Sequence, residues 1–274
     1  MTDANGLLPY WLPLSVLTFA IQMLVYHGVG LWFEWCDQTG RLRSFKTRPV
    51  ERFSYFDILP RVLVNQFCIL LPSMMLVQLL GLAFVGAPHL TAPHFIAAMI
   101  LMGVGHDVVQ YATHRFLLHR PLLMRKLGHS VHHTTTASRA ISACYMSHAD
   151  FFLEIVLPYL LPLMIVGAGA DISFQLLVAS LGAIGGLYEH SGYDFSVRLP
   201  RGVAGLKGRL FDALAALTSS KAHAEHHRRG NVSFSDGFGS PGISDTVFAT
   251  RWDLVGDRGE PRRQRAAAQK EAAH

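Results

Sequence analysis

Residues 106–133 read HDVVQYATHRFLLHRPLLMRKLGHSVHH and contain six histidines in 28 residues. The last three, His129, His132 and His133, follow the spacing H-x2-H-H, and the same spacing occurs again at residues 223–227 (HAEHH). Because positions i, i+3 and i+4 of a helix lie close together, each triplet is expected to project three imidazoles in one direction. Neutral imidazole binds iron, zinc and copper. Two such triplets in one apolar chain therefore predict two halves of one metal site.

The surrounding chain has the composition of a membrane protein. Half of its 274 residues are hydrophobic and 16% are charged, against about 25% charged residues in a soluble domain. Five apolar stretches are long enough to cross a bilayer, namely residues 7–35, 61–86 (with a kink at Pro72), 94–118, 151–168 and 172–190. The last two could instead form a re-entrant hairpin. We predict an all-α integral membrane protein with four to five transmembrane helices and a histidine-rich cap that holds a dimetal site.

The domain organisation is expected to be simple. Residues 1–274 are predicted to form one membrane-embedded domain, in which residues 257–274 are a disordered basic tail. The first residues lack the basic region of a cleaved signal peptide, so none is expected. Three cysteines without a paired spacing indicate neither a disulfide framework nor a zinc site.

The distribution of basic residues predicts the orientation. Nearly all Lys and Arg lie in residues 36–60, 119–150 and 191–274, and none lies in the loops at 87–93 and 167–171. The positive-inside rule then places the N-terminus outside and the C-terminus in the cytoplasm. Both histidine triplets are therefore predicted to be cytoplasmic, on a bacterial inner membrane or the endoplasmic reticulum. One common metal site requires both triplets to lie on the same side of the membrane.

The histidines before the first triplet need a bulged helix. His114 and His119 are about 140° apart on a straight α-helix, so both can be ligands only if the helix ends or bulges between them. Asp107, Tyr111 and His114 lie at i, i+4 and i+7. Asp107 is therefore predicted to accept a hydrogen bond from a ligand imidazole. His106 lies about 12 Å along the helix from His114 and is expected to be structural.

Two further histidines are weaker candidates. His190 stands at the end of the fifth apolar stretch, where an ionisable residue is a functional candidate, but an ordinary interfacial histidine fits as well. The same alternatives hold for His148. For the triplets, the alternative is a solvated basic helix that contacts anionic lipid.

The number of candidate ligands favours two ions, since a structural zinc needs only four. The predicted ligands are His114, His119, His129, His132, His133, His148, His190, His223, His226 and His227. No HExxH, G-x-S-x-G or glycine-rich nucleotide loop is present. The alternative from another class is a non-catalytic, histidine-rich metal-binding or transport protein. Transporters place their ligands near the bilayer midplane, whereas the triplets lie outside the apolar stretches.

These motifs resemble the fatty acid hydroxylase/sterol desaturase superfamily of membrane-bound, histidine-rich diiron enzymes. The pattern D-x3-Y-x2-H-R-x3-H at 107–119, LGHSVHH at 127–133 and HAEHH at 223–227 are similar to its histidine boxes. EHSGYD at 189–194 and SDTVFAT at 244–250 resemble flanking signatures.

The resemblance implies an activity and its cofactors. Two irons would activate O2 to hydroxylate or desaturate an unactivated C–H bond of a sterol, fatty acyl chain or carotenoid, with Asp107 and Tyr111 as catalytic residues. Electrons would come from NAD(P)H through a reductase and a separate cytochrome b5 or ferredoxin, docked on the basic face. Nothing indicates nucleic acid as a partner. Residues 60–72 most resemble the sterol C4-methyl oxidase branch. A ligand of the fatty acid 2-hydroxylase branch is replaced here by Gly186, and His148 is expected to supply it.

Overall fold

In the computed structural model, residues 12–235 and 242–255 are described, and every regular element among them is helical. The predicted tail at 257–274 lies outside the described residues. In chain order the α-helices are α1 (Leu14–Thr39), α2 (Tyr55–Asn65), α3 (Leu71–Leu79), α4 (Ala92–Thr113), α5 (Pro121–Lys126), α6 (His129–His133), α7 (His148–Phe151), α8 (Leu157–Val166), α9 (Ile172–His190), α10 (Gly205–Thr218), α11 (Lys221–Arg229) and α12 (Ile243–Val247).

Five helical segments of the described chain are long and apolar enough to cross a membrane. These spans are Leu14–Thr39, Tyr55–Leu79, Ala92–Leu118, His148–Val166 and Ile172–His190. The prediction of an all-α membrane protein is confirmed. The fourth and fifth segments, for which a re-entrant hairpin was the alternative, each have 19 helical residues, enough for a full crossing.

The first two spans have limits other than those predicted. The first begins at Leu14, after Pro13, and continues to Thr39. The second begins at Tyr55 because Ser54 forms a capping box: its hydroxyl accepts from Asp57 N at 3.2 Å, and the Asp57 carboxylate accepts from Ser54 N at 2.9 Å. The second span was predicted to continue to residue 86, but its last helix ends at Leu79. The chain then turns at Gly81, where φ is +70°.

Three spans contain a π-helical turn, at Gln66–Leu70, His114–Leu118 and Phe152–Val156. Two of these turns end two residues before a proline, Pro72 or Pro158. Proline lacks the N–H of a regular helical turn and crowds the preceding one, so a widened turn just before it relieves the conflict. The kink predicted at Pro72 therefore takes the form of a π turn.

The loops of the spans gather at two opposite ends. At one end, Lys46 Nζ donates to the carbonyls of Ser138 and Ser191, each at 3.0 Å. These residues belong to the three basic segments, which also contain α6 and α11. At the other end, Leu90 N donates to Asp171 Oδ2 at 2.8 Å, which joins the two loops that lack Lys and Arg. All histidine motifs therefore lie at the basic end.

Helix α10 lies in a region whose composition looks soluble, yet it has an apolar face. Its leucines recur at i, i+4, i+8 and i+11 and are 85%, 57%, 38% and 52% exposed, at Leu206, Leu210, Leu214 and Leu217. Exposed leucines at this spacing are typical of a helix that lies in a membrane interface.

Candidate metal centre

Nine of the ten predicted ligands form two groups, and within each group the ligand atoms lie within 4.8 Å of one another. The five-histidine group consists of His114, His119, His129, His133 and His226. The four-histidine group consists of His132, His190, His223 and His227. The two groups are adjacent, since the ring centroids of His133 and His227 are 4.6 Å apart.

A π turn brings His114 and His119 together. The turn at His114–Leu118 is closed by an i→i+5 hydrogen bond from His119 N to His114 O, 2.9 Å long. The two residues thus lie one above the other, with ring centroids 4.8 Å apart. A straight α-helix would have directed these rings about 140° apart. The structure therefore contains the bulge that the five-residue spacing required.

Each H-x2-H-H triplet is divided between the groups, which corrects the expectation of one common direction. In α6, His129 and His133 belong to the five-histidine group and His132 to the four-histidine group. In α11 the assignment is reversed, because only His226 belongs to the five-histidine group. Residues i and i+4 are about 40° apart around a helix, whereas i+3 lies about 60° away on the other side. Two short helices can therefore each contribute to two centres.

Backbone carbonyls determine which ring nitrogen carries the proton in three histidines. Nδ1 of His114, of His226 and of His190 lies 2.7 Å, 2.7 Å and 2.8 Å, respectively, from the carbonyl oxygens of Phe234, Val232 and Gly186. A carbonyl can only accept, so each Nδ1 donates and each neutral ring presents an unprotonated Nε2. This is the arrangement of metal-bound histidines, which donate their second nitrogen to a carbonyl or carboxylate.

The unprotonated nitrogens face one another, an arrangement that favours a bound cation. His129 Nδ1 donates to Asp150 Oδ1 at 2.8 Å, so its Nε2 is also a lone-pair donor when the ring is neutral. His114 Nε2 and His129 Nε2 are nevertheless only 3.2 Å apart. In the described residues, Nε2 of His226 and both ring nitrogens of His227 are buried without a hydrogen-bond partner. The donor set therefore fits metal ions better than a hydrogen-bonded core.

Six imidazoles outside the spans are in the neutral form that binds metal, namely those of His119, His132, His133, His223, His226 and His227. Burial lowers the pKa of His226 to about 4, because it disfavours the charged ring. Burial, and then repulsion from neighbouring histidines, hold the pKa of His132 and His133 well below its ordinary value. The same two causes lower the pKa of His119, His223 and His227. These rings are neutral at pH 7, as ligation requires.

Among the described residues, Asp107 contacts the C-terminal segment, whereas the sequence suggested an imidazole as its partner. Its carboxylate accepts from the backbone N–H groups of Ile243 at 3.1 Å and Ser244 at 2.9 Å, at the start of α12. Tyr111 contacts the same segment: its ring stacks on Phe248 with centroids 5.1 Å apart, and its hydroxyl is 3.3 Å from Thr250 Oγ1. Both predicted catalytic residues thus attach the C-terminal segment to α4.

His148 lies in neither histidine group. Its Nδ1 is 2.8 Å from Asn65 Oδ1 in the second span, and its side chain is exposed. His148 therefore does not supply the ligand whose position in the sequence is taken by Gly186. His106 also belongs to neither group, and its structural role stays a prediction.

Three carboxylates near the groups were not predicted. Asp150 and Glu154 lie in the fourth span, within 4.8 Å of a His129 ring nitrogen. Asp245 accepts from Phe234 N at 3.0 Å and so holds the carbonyl that orients His114. Glu154 could have been found as an ionisable residue in the apolar run FFLEIVL. Asp245 stands in the SDTVFAT signature at 244–250, which pointed to the segment but not to this role, and Asp150 carries no such signal.

The five apolar helices and the histidine groups define an integral membrane protein with a histidine-rich site suited to metal. The family model for fatty acid hydroxylase matches residues 99–250, more than half of the chain. The chain belongs to the fatty acid hydroxylase family, and hence to a class of membrane oxidoreductases that hydroxylate or desaturate lipids. The match spans all nine grouped histidines. Comparisons with curated proteins and with solved structures gave no match.

Proposed function

We propose that this chain is a dinuclear iron oxygenase that hydroxylates or desaturates an unactivated C–H bond of a membrane lipid. The observation that carries the proposal is the pair of adjacent histidine groups in a member of the fatty acid hydroxylase family. Each group is proposed to hold one iron, a metal that imidazole suits. Bound iron would supply the redox chemistry that activates O2.

The overall reaction balances with an external donor. Hydroxylation converts R–H and O2, with two electrons and two protons, into R–OH and one water. Desaturation removes two hydrogens from the lipid and, with the same electrons and protons, yields two waters. The electrons are proposed to come from NAD(P)H through a reductase and a ferredoxin or cytochrome b5.

The location of the groups fits a substrate that comes from the bilayer. His114 begins the last turn of the third span, and His190 ends the fifth. Beside His114, Phe116 and Leu117 are 44% and 38% exposed, on a surface that we propose faces lipid. A sterol, fatty acyl chain or carotenoid could therefore approach the groups without leaving the apolar phase. Burial of the imidazoles excludes bulk water from the reacting bond.

The electron donor is proposed to bind at the basic end. Arg120, Arg125 and Lys126 are exposed on α5 and its flank, directly before α6. By contrast, Lys46 and Arg48 donate to internal carbonyls and are less available. Exposed positive charge next to the groups suits an acidic donor and speeds its association. This end is proposed to face the cytoplasm.

Isotope-labelled turnover tests the proposal. The iron-loaded protein in lipid nanodiscs is given 18O2, NADPH, a reductase and ferredoxin, and the extracted lipids are analysed by mass spectrometry. We expect donor-dependent O2 uptake together with a lipid that has gained one 18O atom or lost two hydrogens. Full metal loading without O2 uptake, with several lipid classes and both donor types, would instead support a non-catalytic metal-binding protein.

A further inference from the structure

Glu154 lies between the two histidine groups. It belongs to the π turn Phe152–Val156 and is 2% exposed. Its Oε1 is 3.8 Å from Nε2 of His114, in the five-histidine group, and 3.9 Å from Nε2 of His132, in the four-histidine group. One carboxylate oxygen is therefore almost equally distant from a donor nitrogen of each group. Both distances exceed a hydrogen bond, so Glu154 is not simply hydrogen-bonded to either ring.

The second oxygen of Glu154 has no hydrogen-bond partner. Oε2 is 3.2 Å from Nδ1 of His129, but that nitrogen is closer to Asp150 Oδ1, at 2.8 Å, and donates to it. Oε2 is consequently a buried oxygen without a hydrogen-bond partner among the described residues, as is Oδ2 of Asp150. A buried carboxylate is costly unless it is paired or coordinates a metal. Two neighbouring carboxylates add their mutual repulsion.

Metal charge would remove this imbalance. Neutral imidazoles bring no negative charge to the groups, so two divalent irons would leave four positive charges in a buried site. Iron binds carboxylate oxygen in soluble four-helix bundles, where glutamates complete dinuclear iron sites. In the described part of the chain, Glu154 is the acidic residue whose oxygen faces both groups, whereas Asp150 is engaged with His129.

We propose that Glu154 is a ligand common to both metal ions, with its carboxylate shared between the five-histidine and four-histidine groups. The π turn is the local cause, because it widens the helix at the residue that must reach two centres. Asp150 is a positioning residue that orients His129. The inference rests on the proposed metal binding but not on turnover.

Zinc titration tests this role without any turnover. Metal-free wild-type protein and Glu154→Gln, both in nanodiscs, are titrated with zinc by calorimetry. Glutamine keeps the shape of the side chain and removes its charge. We expect the affinity for both ions to fall by at least about tenfold to a hundredfold, since that is the loss when a group that only orients a ligand is altered. Asp150→Asn is the matched control and should weaken the one ion that His129 binds.

The outcomes separate the alternatives. Wild-type affinity for either ion in Glu154→Gln would overturn the shared-ligand role. If that variant fails to fold, as judged by gel filtration of the metal-free protein, Glu154→Asp is titrated in its place. It keeps the charge on a shorter side chain, and unchanged affinity for either ion in it would also overturn the role. A wild-type protein that binds two zinc ions, but whose iron-loaded form never consumes O2, would refute the proposed oxygenase and leave this result intact.

Discussion

His132 and His133 are adjacent in the chain, yet they belong to different histidine groups. Consecutive residues are about 100° apart around a helix. The H-x2-H-H spacing therefore directs its first and last imidazoles one way and its middle one another way. The sequence alone favours a common direction, because i, i+3 and i+4 make a continuous face when only one partner lies opposite. Because two histidine groups lie beside the helix, the triplet is instead divided between them.

Removal of one imidazole should affect one group. His132→Ala deletes a member of the four-histidine group and leaves the five-histidine group complete. We expect the purified variant to hold about half of the wild-type iron, measured by plasma mass spectrometry, and to lose turnover. Its matched control is His148→Ala, which removes a histidine outside both groups and should retain the full load. Wild-type iron content in His132→Ala, or a loss in His148→Ala, would contradict this partition.

The sequence predicted the histidines of the two groups better than the side chains that orient them. Histidine spacing identifies eight of the nine grouped residues, and the ninth, His190, was predicted from its place at the end of an apolar stretch. Histidine spacing does not identify Asp150, Asp245 or Glu154, since a single carboxylate carries no record of its partner. For Asp107 the sequence suggested a partner that differs from the one observed. Its helical register with His114 suggested an imidazole contact, whereas its carboxylate caps α12.

At the scale of elements, α6 depends on one glycine. Gly128 precedes His129 with φ +74°, a left-handed conformation that costs other residues about 1–2 kcal/mol. A Cβ at this position would also be 2.7 Å from Ser147 Cβ. Since α6 contributes to both groups, its displacement would disturb both.

Gly128→Ala should therefore weaken both metal sites. We expect the variant to lose most of its bound iron and to unfold at a lower temperature. Metal analysis and thermal denaturation measure these two effects. Gly40→Ala is the matched control, because its φ is +68° but a Cβ there meets nothing within 4 Å. The control should lose a similar amount of stability from strain, about 1–2 kcal/mol, and keep its iron. Equal iron content in the two variants would refute the role assigned to α6.

The spans themselves were predictable, and their irregularities were predictable only in part. Long apolar runs identify five spans because a bilayer imposes a minimum length. The π turn at His114–Leu118 was expected, because two predicted ligands lie five residues apart. The π turn that contains Glu154 was not, because a proline such as Pro158 indicates a disturbed helix without specifying which residue is displaced.

At the scale of the whole molecule, the charges at the two ends of the spans predict the orientation in the membrane. The three basic segments and all grouped histidines lie at one end, and the two loops without Lys or Arg lie at the other. The positive-inside rule predicts that the basic end is cytoplasmic. The C-terminal segment would then share that compartment with the electron donor.

Cysteine labelling tests the orientation in intact cells. Lys126→Cys and Thr91→Cys, at exposed positions of opposite ends, are introduced after the exposed Cys68 is replaced by serine. An impermeant maleimide should label Thr91→Cys in intact cells and Lys126→Cys only after lysis. The reverse pattern would show that the histidine groups face the outside and would exclude a cytoplasmic donor.

The most direct test of the central claim is the iron content of the purified wild-type protein, combined with X-ray absorption at the iron edge. Two histidine groups with unprotonated nitrogens directed inward predict two irons per chain, each surrounded mainly by imidazole nitrogen. Removal of these irons by a chelator should lower the unfolding temperature, because binding to the native state alone stabilises it. A chain that holds a single iron at saturation, or iron without imidazole ligands, would contradict the account.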